Sequence, residues 1–81
     1  MELINITRGH IEIRAFGKEI TIYGEGLLRG YDSPDFIIYS NSIIRWDCPN
    51  ENHEVLEHEK REIIAFLFEE FKSRRMTLVV E

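Results

Sequence analysis

The chain is short of almost every residue that marks a special structural class. One cysteine, Cys48, has no partner for an internal bridge. The disulfide framework of small secreted domains is thereby excluded, and a reducing, cytoplasmic setting is expected. Two prolines and five glycines in 81 residues are too few for a disordered or low-complexity chain. No apolar stretch approaches the roughly 20 residues that cross a bilayer, and the longest in the helical region runs only from Ile63 to Phe68. Nor does any segment join a basic start to an apolar run and a small-residue cleavage site. Positive charge is also scarce. Ten Lys and Arg against fifteen Asp and Glu give a formal charge of -5, the wrong sign for a protein that gains affinity by neutralising phosphates. Membrane and nucleic acid are therefore set aside as direct partners.

What remains is an ordinary globular composition, 43% hydrophobic, in a chain long enough for one core and too short for two. A single domain over 1–81 is expected. The first half alternates with the period of two that marks a half-buried strand. Segments 3–7, 10–16 and 20–25 carry Ile4 and Ile6, then Ile11 and Ile13, then Ile20 and Ile22 at alternate positions. Arg8-Gly9 and Phe16-Gly17-Lys18-Glu19 supply the turns between them, giving a three-stranded meander. The stretch 26–34 holds Gly26, Gly30 and Pro34 and reads as a loop. Segment 35–40 returns as a strand that is apolar on both faces, through Phe36, Ile37, Ile38 and Tyr39, which suits a central place in the sheet. A short strand is expected at Ile43, Ile44 and Trp46, ending before Pro49. Trp46 is expected to anchor the core where sheet meets helix.

From 58 to 74, Ile63, Ile64, Leu67, Phe68 and Phe71 fall at spacings of three and four and draw an apolar stripe along a helix. Acids crowd its first turn, and Lys72, Arg74 and Arg75 its last, which matches the helix dipole. Phe66 lies off this stripe and is expected at its edge or exposed, where it is a candidate partner contact. Segment 76–80 is too apolar to dangle in water and reads as a final strand. The fold class is α+β: a curled, mainly antiparallel sheet of about five to six strands, one long amphipathic helix packed on one face, and a C-terminal strand.

Ile20-Thr-Ile-Tyr-Gly-Glu25, then Asp35-Phe-Ile-Ile-Tyr39, then Ser42-Ile43-x-x-Trp46-x-x-Pro49 and an acidic lead-in to the helix resemble the immunity protein 74 family of bacterial polymorphic toxin systems. The likeness spans nearly the whole chain, and its most specific part is the Ser, Ile, Trp and Pro spacing before the helix. It implies a cytoplasmic protein that neutralises a cognate toxin by direct binding. As a class, immunity proteins often present acidic surfaces to basic nuclease toxins, which fits the charge here. The sequence departs from the family pattern in carrying Glu57 where a serine or threonine cap would open the helix.

The residues point the same way. Asp47, Glu51, Glu54, Glu57 and Glu59 fall in one short segment, whose field would steer a basic partner. Tyr31 and Tyr39 are candidate aromatic anchors, since Tyr is enriched at interface hot spots. No catalytic role is expected. Cys48, His53 and His58 form C-x4-H-x4-H, wider than the tight pairs of known zinc sites and in need of a fourth ligand such as His10 or Glu54. The expectation is therefore no enzyme, no metal and no cofactor, with a protein partner. A homodimer formed through an open sheet edge or Phe66 is the alternative.

Overall fold

A computed structural model describes residues 1–28 and 32–81. Tyr31, one of the aromatic anchors expected from the sequence, lies outside the described residues. Among the described residues, five strands form one sheet in the order β1-β2-β3-β4-β5. They are β1 Glu2–Ile6, β2 His10–Ala15, β3 Lys18–Gly26, β4 Phe36–Ile38 and β5 Leu78–Val80. The helix α1 covers Glu57–Ser73. The first four strands pair antiparallel, and β5 closes the order parallel to β4. The expected α+β architecture is the one found.

Alternation decides the layers. Ile11, Ile13 and Ala15 of β2, Ile20 and Ile22 of β3, Phe36 and Ile38 of β4 and Leu78 of β5 are all buried on one sheet face. Glu12, Arg14, Thr21 and Tyr23 take the opposite positions and reach water. Helix α1 lays Ile63, Leu67 and Phe71 on the apolar face, with the Phe71 ring edge-on to Phe36 at 6.2 Å. The β2–β3 connection is a two-residue turn in which Phe16 and Gly17 both have positive φ, 54° and 73°, the backbone that matches strand twist in a hairpin.

Strands β3 and β4 approach each other closely at Gly24. This residue sits on the inner face of β3, opposite Ile38. A Cβ there would stand 2.7 Å from the Phe36 ring and would also run into the Ile37 carbonyl oxygen. Only a residue without a side chain lets β4 approach this closely.

Three details differ from the sequence reading. Ile4 and Ile6 do not share a face: the register of β1 shifts between Leu3 and Asn5, so Leu3 and Ile6 pack against the core while Ile4 is exposed. Segment 39–47 does not contain the short strand expected at Ile43, Ile44 and Trp46. It begins with a 3-10 turn at Ser40–Ser42 and follows the edge of β3 through single bonds. Tyr39 donates its N–H to Tyr23 O at 2.9 Å, Asp47 donates to Glu19 O at 2.8 Å, and the Tyr23 N–H is taken by Ser42 Oγ at 3.0 Å. Ile43 and Trp46 are buried while Ile44 is exposed. That is a spacing of three, which a pleated strand cannot place on one face.

The buried stripe of α1 is also turned from the one expected. It runs through Glu59, Ile63, Leu67 and Phe71. At about 100° per residue, Phe66 lies roughly 80° from the centre of that stripe and Phe68 roughly 120°. Phe66 therefore packs against the core as a half-buried edge residue, and Phe68 is the exposed one, at 44%.

Candidate functional site

The acidic segment 47–59 gathers at the N-terminal end of α1, where His53, Glu54, Leu56 and Glu59 border one groove. Its carboxylates differ in what holds them. Glu59 is buried, and its Oε1 accepts the Leu56 N–H at 2.9 Å. Leu56 is the N-cap and has no side-chain acceptor, so Glu59 supplies the return half of a capping box alone. Helix α1 thus begins at Glu57 without the serine or threonine that would ordinarily open it. Asp47 is half-buried and accepts the Thr21 hydroxyl at 2.7 Å, pinning the segment to β3. These two acids belong to the scaffold.

Glu51, Glu54 and Glu57 are exposed. Glu54 stands 3.7 Å from Arg45, with more than half of each side chain in water, a pairing that adds little stability. On β2, Arg14 bonds Glu2 at 2.8 Å and Glu19 at 3.1 Å. Glu19 first, through its hydrogen bond and charge, and then Glu2 hold that guanidinium even more firmly protonated than usual.

The structure adds a residue that sequence reasoning passed over as part of a turn. Phe16 is 42% exposed at the tip of the β2–β3 hairpin. Its ring meets Trp46 edge-on at 6.3 Å and His58 at 6.5 Å. Trp46 itself is buried beneath the ammonium of Lys18, 5.2 Å from its ring, a cation–π arrangement. A left-handed backbone favours Asn, Asp or Gly and is unusual for a bulky side chain. The signal in the sequence was that a Phe-Gly pair stands where Asn-Gly is the ordinary choice. A groove of about 390 Å³ next to these rings is lined by Lys18, Trp46, His53, Glu54, Leu56 and Glu59, with Leu56 exposed.

Tyr39 is not brought to this end. It is exposed next to Glu25, its hydroxyl 3.4 Å from a Glu25 carboxylate oxygen, and its backbone bonds Tyr23. Four residues of β3 separate that point from Glu19, roughly 13 Å. Phe66 stands on the flank of the helix, against the core. Cys48 is a free, exposed thiol. Among the described residues, no group of three or more His, Cys, Asp or Glu side chains is placed to hold a metal ion. No helix among them is long and apolar enough to cross a membrane.

The residues that carry the family resemblance act within the fold. Ser42 Oγ accepts from the Tyr23 N–H and donates to Tyr39 O at 2.7 Å, Ile43 and Trp46 fill the core, and Pro49 follows a cis peptide bond after Cys48. Together they shape the segment that seals the free edge of β3 and delivers the acidic loop to α1. No curated protein matches the chain, and no solved structure does. A family model described as immunity protein 74 matches residues 3–81. With that match over nearly its whole length, the chain belongs to the immunity protein 74 family.

Proposed function

We propose that this protein neutralises a cognate bacterial toxin in the cytoplasm by direct binding, without chemistry of its own, and that the toxin meets the acidic end. The observation that carries the surface is Phe16, a half-exposed ring held on a left-handed backbone against His58, the neighbour of Glu57, and Trp46, which shares a groove with Glu54, while Glu51 is exposed in the same acidic segment. An aromatic anchor inside a charged rim is the usual anatomy of an interface hot spot. A toxin with a basic face, such as a nuclease, suits the sign of the field. Asp47 and Glu59 add to that field from behind, while Thr21 and the Leu56 N–H hold them in place.

Phe16→Asn separates folding from binding. Asn accepts positive φ more readily than Phe, so melting should stay within about 1 kcal/mol of the parent, after allowance for the lost ring contacts. Affinity for the toxin encoded beside the gene, measured by calorimetry, should fall at least about tenfold. The triple change of Glu51, Glu54 and Glu57 to lysine should mainly slow association, and by a smaller factor at high salt. Undiminished binding by both folded variants would remove this end from consideration.

The second reading is a homodimer without a toxin partner, favoured by the outer edge of β5, which among the described residues pairs with β4 alone.

A further inference from the structure

At the C-terminal end of α1, the last turns of the helix and β5 border a groove of about 410 Å³. Its lining includes Phe68, Phe71, Lys72, Arg75, Met76 and Leu78, together with Glu69. We propose that this groove and the β5 edge receive a second copy of the same chain, across a two-fold axis passing at Val79. The proposal is independent of the toxin reading.

Hydrogen-bond direction fixes the register. Thr77 O accepts from the N–H groups of Asp35 and Phe36, and Glu81 exchanges bonds with Ile38 and Ser40, so residues 77 and 81 face β4. By strand alternation Val79 faces β4 as well, and Leu78 and Val80 turn their N–H and C=O groups outward. An antiparallel copy centred on Val79 pairs Leu78 with Val80 of its mate in two hydrogen-bonded pairs. Val79 then meets Val79 as a non-hydrogen-bonded pair, where side chains approach most closely. Val79 is 39% exposed on the sheet's outer face, and this pairing covers it.

A three-residue strand edge falls short of the roughly 1,200 Å² buried by stable interfaces, and the groove supplies further area. A two-fold axis normal to the sheet sets both α1 helices on the same side and antiparallel. The grooves of the two copies, each lined by its own exposed Phe68, then face each other across the axis. The charges around the groove are self-complementary. Glu69, Lys72 and Arg75 line it, and none of the three is in an ion pair among the described residues. The two-fold axis brings the acid of one copy toward the bases of the other. The opposite edge of the sheet is unsuitable, because the register of β1 shifts between Leu3 and Asn5, and such bulges blunt an edge.

Sedimentation of the full chain under reducing conditions, up to roughly 100 µM, should show twice the 9.6 kDa monomer mass. Val79→Lys places two ammonium groups across the axis and should raise the dissociation constant at least about tenfold with the circular dichroism unchanged. With Cys48→Ser as background, Val79→Cys should oxidise to a cross-linked dimer, because a non-hydrogen-bonded pair holds Cα atoms about 4.5 Å apart, within disulfide reach. Thr77→Cys, which faces Glu81 of the mate, should not. A chain that stays monomeric over the whole range, or equal cross-linking at 77 and 79, would overturn the proposal. So would a monomer whose toxin binding is abolished by Val79→Lys, since the edge would then belong to the toxin.

Discussion

Replacing Gly24 by alanine tests the close approach of β3 and β4, because two general effects oppose each other there. Gly24 is not among the residues with positive φ, so alanine can adopt its backbone. Restricting the unfolded chain should then stabilise the protein by about 0.4–1 kcal/mol. Against this, the new methyl would lie 2.7 Å from Phe36 Cε1 and 3.0 Å from Ile38 Cα, and against the Ile37 carbonyl oxygen. The Phe36 ring is buried and wedged on Phe71, and two of the three neighbours are backbone of β4, so the group has no flexible end to yield. Overpacking of this kind costs about 1–3 kcal/mol, and more where a ladder must shift. The net expectation is a loss of roughly 1–3 kcal/mol. Gly9→Ala is the matched control, since a Cβ there meets nothing within 4 Å. Urea titrations of the three proteins, fitted with a common slope, give the comparison. A lower midpoint for Gly24→Ala beside an unchanged or raised one for Gly9→Ala is the expected pattern. Equal midpoints for the two variants would refute the claim of close approach at Gly24.

Other expectations follow from individual contacts. Glu59→Ala removes the acceptor for the Leu56 N–H and one acid of the first turn, and should lower stability by about 1–2 kcal/mol in chemical denaturation; Glu59→Gln, which keeps an acceptor, should lose less. Phe71→Ala should cost about 3–5 kcal/mol, while Phe68→Ser in dilute solution should stay within about 0.5 kcal/mol, because only the former ring is buried; thermal melts that rank them in the reverse order would mean the helix face is misassigned. Arg75 closes α1 with a φ of 56°, its N–H on Lys72 O and the Met76 N–H on Phe71 O. Arg75→Gly should therefore raise stability by roughly 1 kcal/mol in the same melts.

Much of the scaffold was legible because periodicity is a direct record of burial. The alternation of Ile11 with Ile13 and of Ile20 with Ile22, and the spacing of Ile63, Leu67 and Phe71, each name residues that are inside the fold. Segment 39–47 misled because apolar residues near one another resemble a strand whether they bury every second or every third position. Ile43 and Trp46 use the latter spacing, and a serine hydroxyl replaces a ladder bond. The helix face was turned because Phe68 is as apolar as Phe71. What separates them is the position of the sheet, which no local pattern contains. The candidate site was legible as a charge run only. Dividing its acids into scaffold, Asp47 and Glu59, and surface, Glu51, Glu54 and Glu57, required Thr21 and Leu56 as partners. Phe16 was hidden by its place in a turn, although the Phe-Gly pair was itself the clue.

The parallel pairing of β5 with β4 also dictates an order of events during folding. Neighbouring members of the meander β1 to β3 are joined by short turns, so their contacts form at little loop-closure entropy. Asp35 and Thr77, by contrast, join positions 42 apart in the chain, and β5 can reach β4 only once α1 has packed or the chain between has collapsed. Until then, Phe36, Ile37 and Ile38 present an apolar strand with one side unpaired. During that interval the chain is most exposed to pairing with its neighbours. The yield of refolding should therefore depend on how concentrated the chains are while the second half of the sheet is still open.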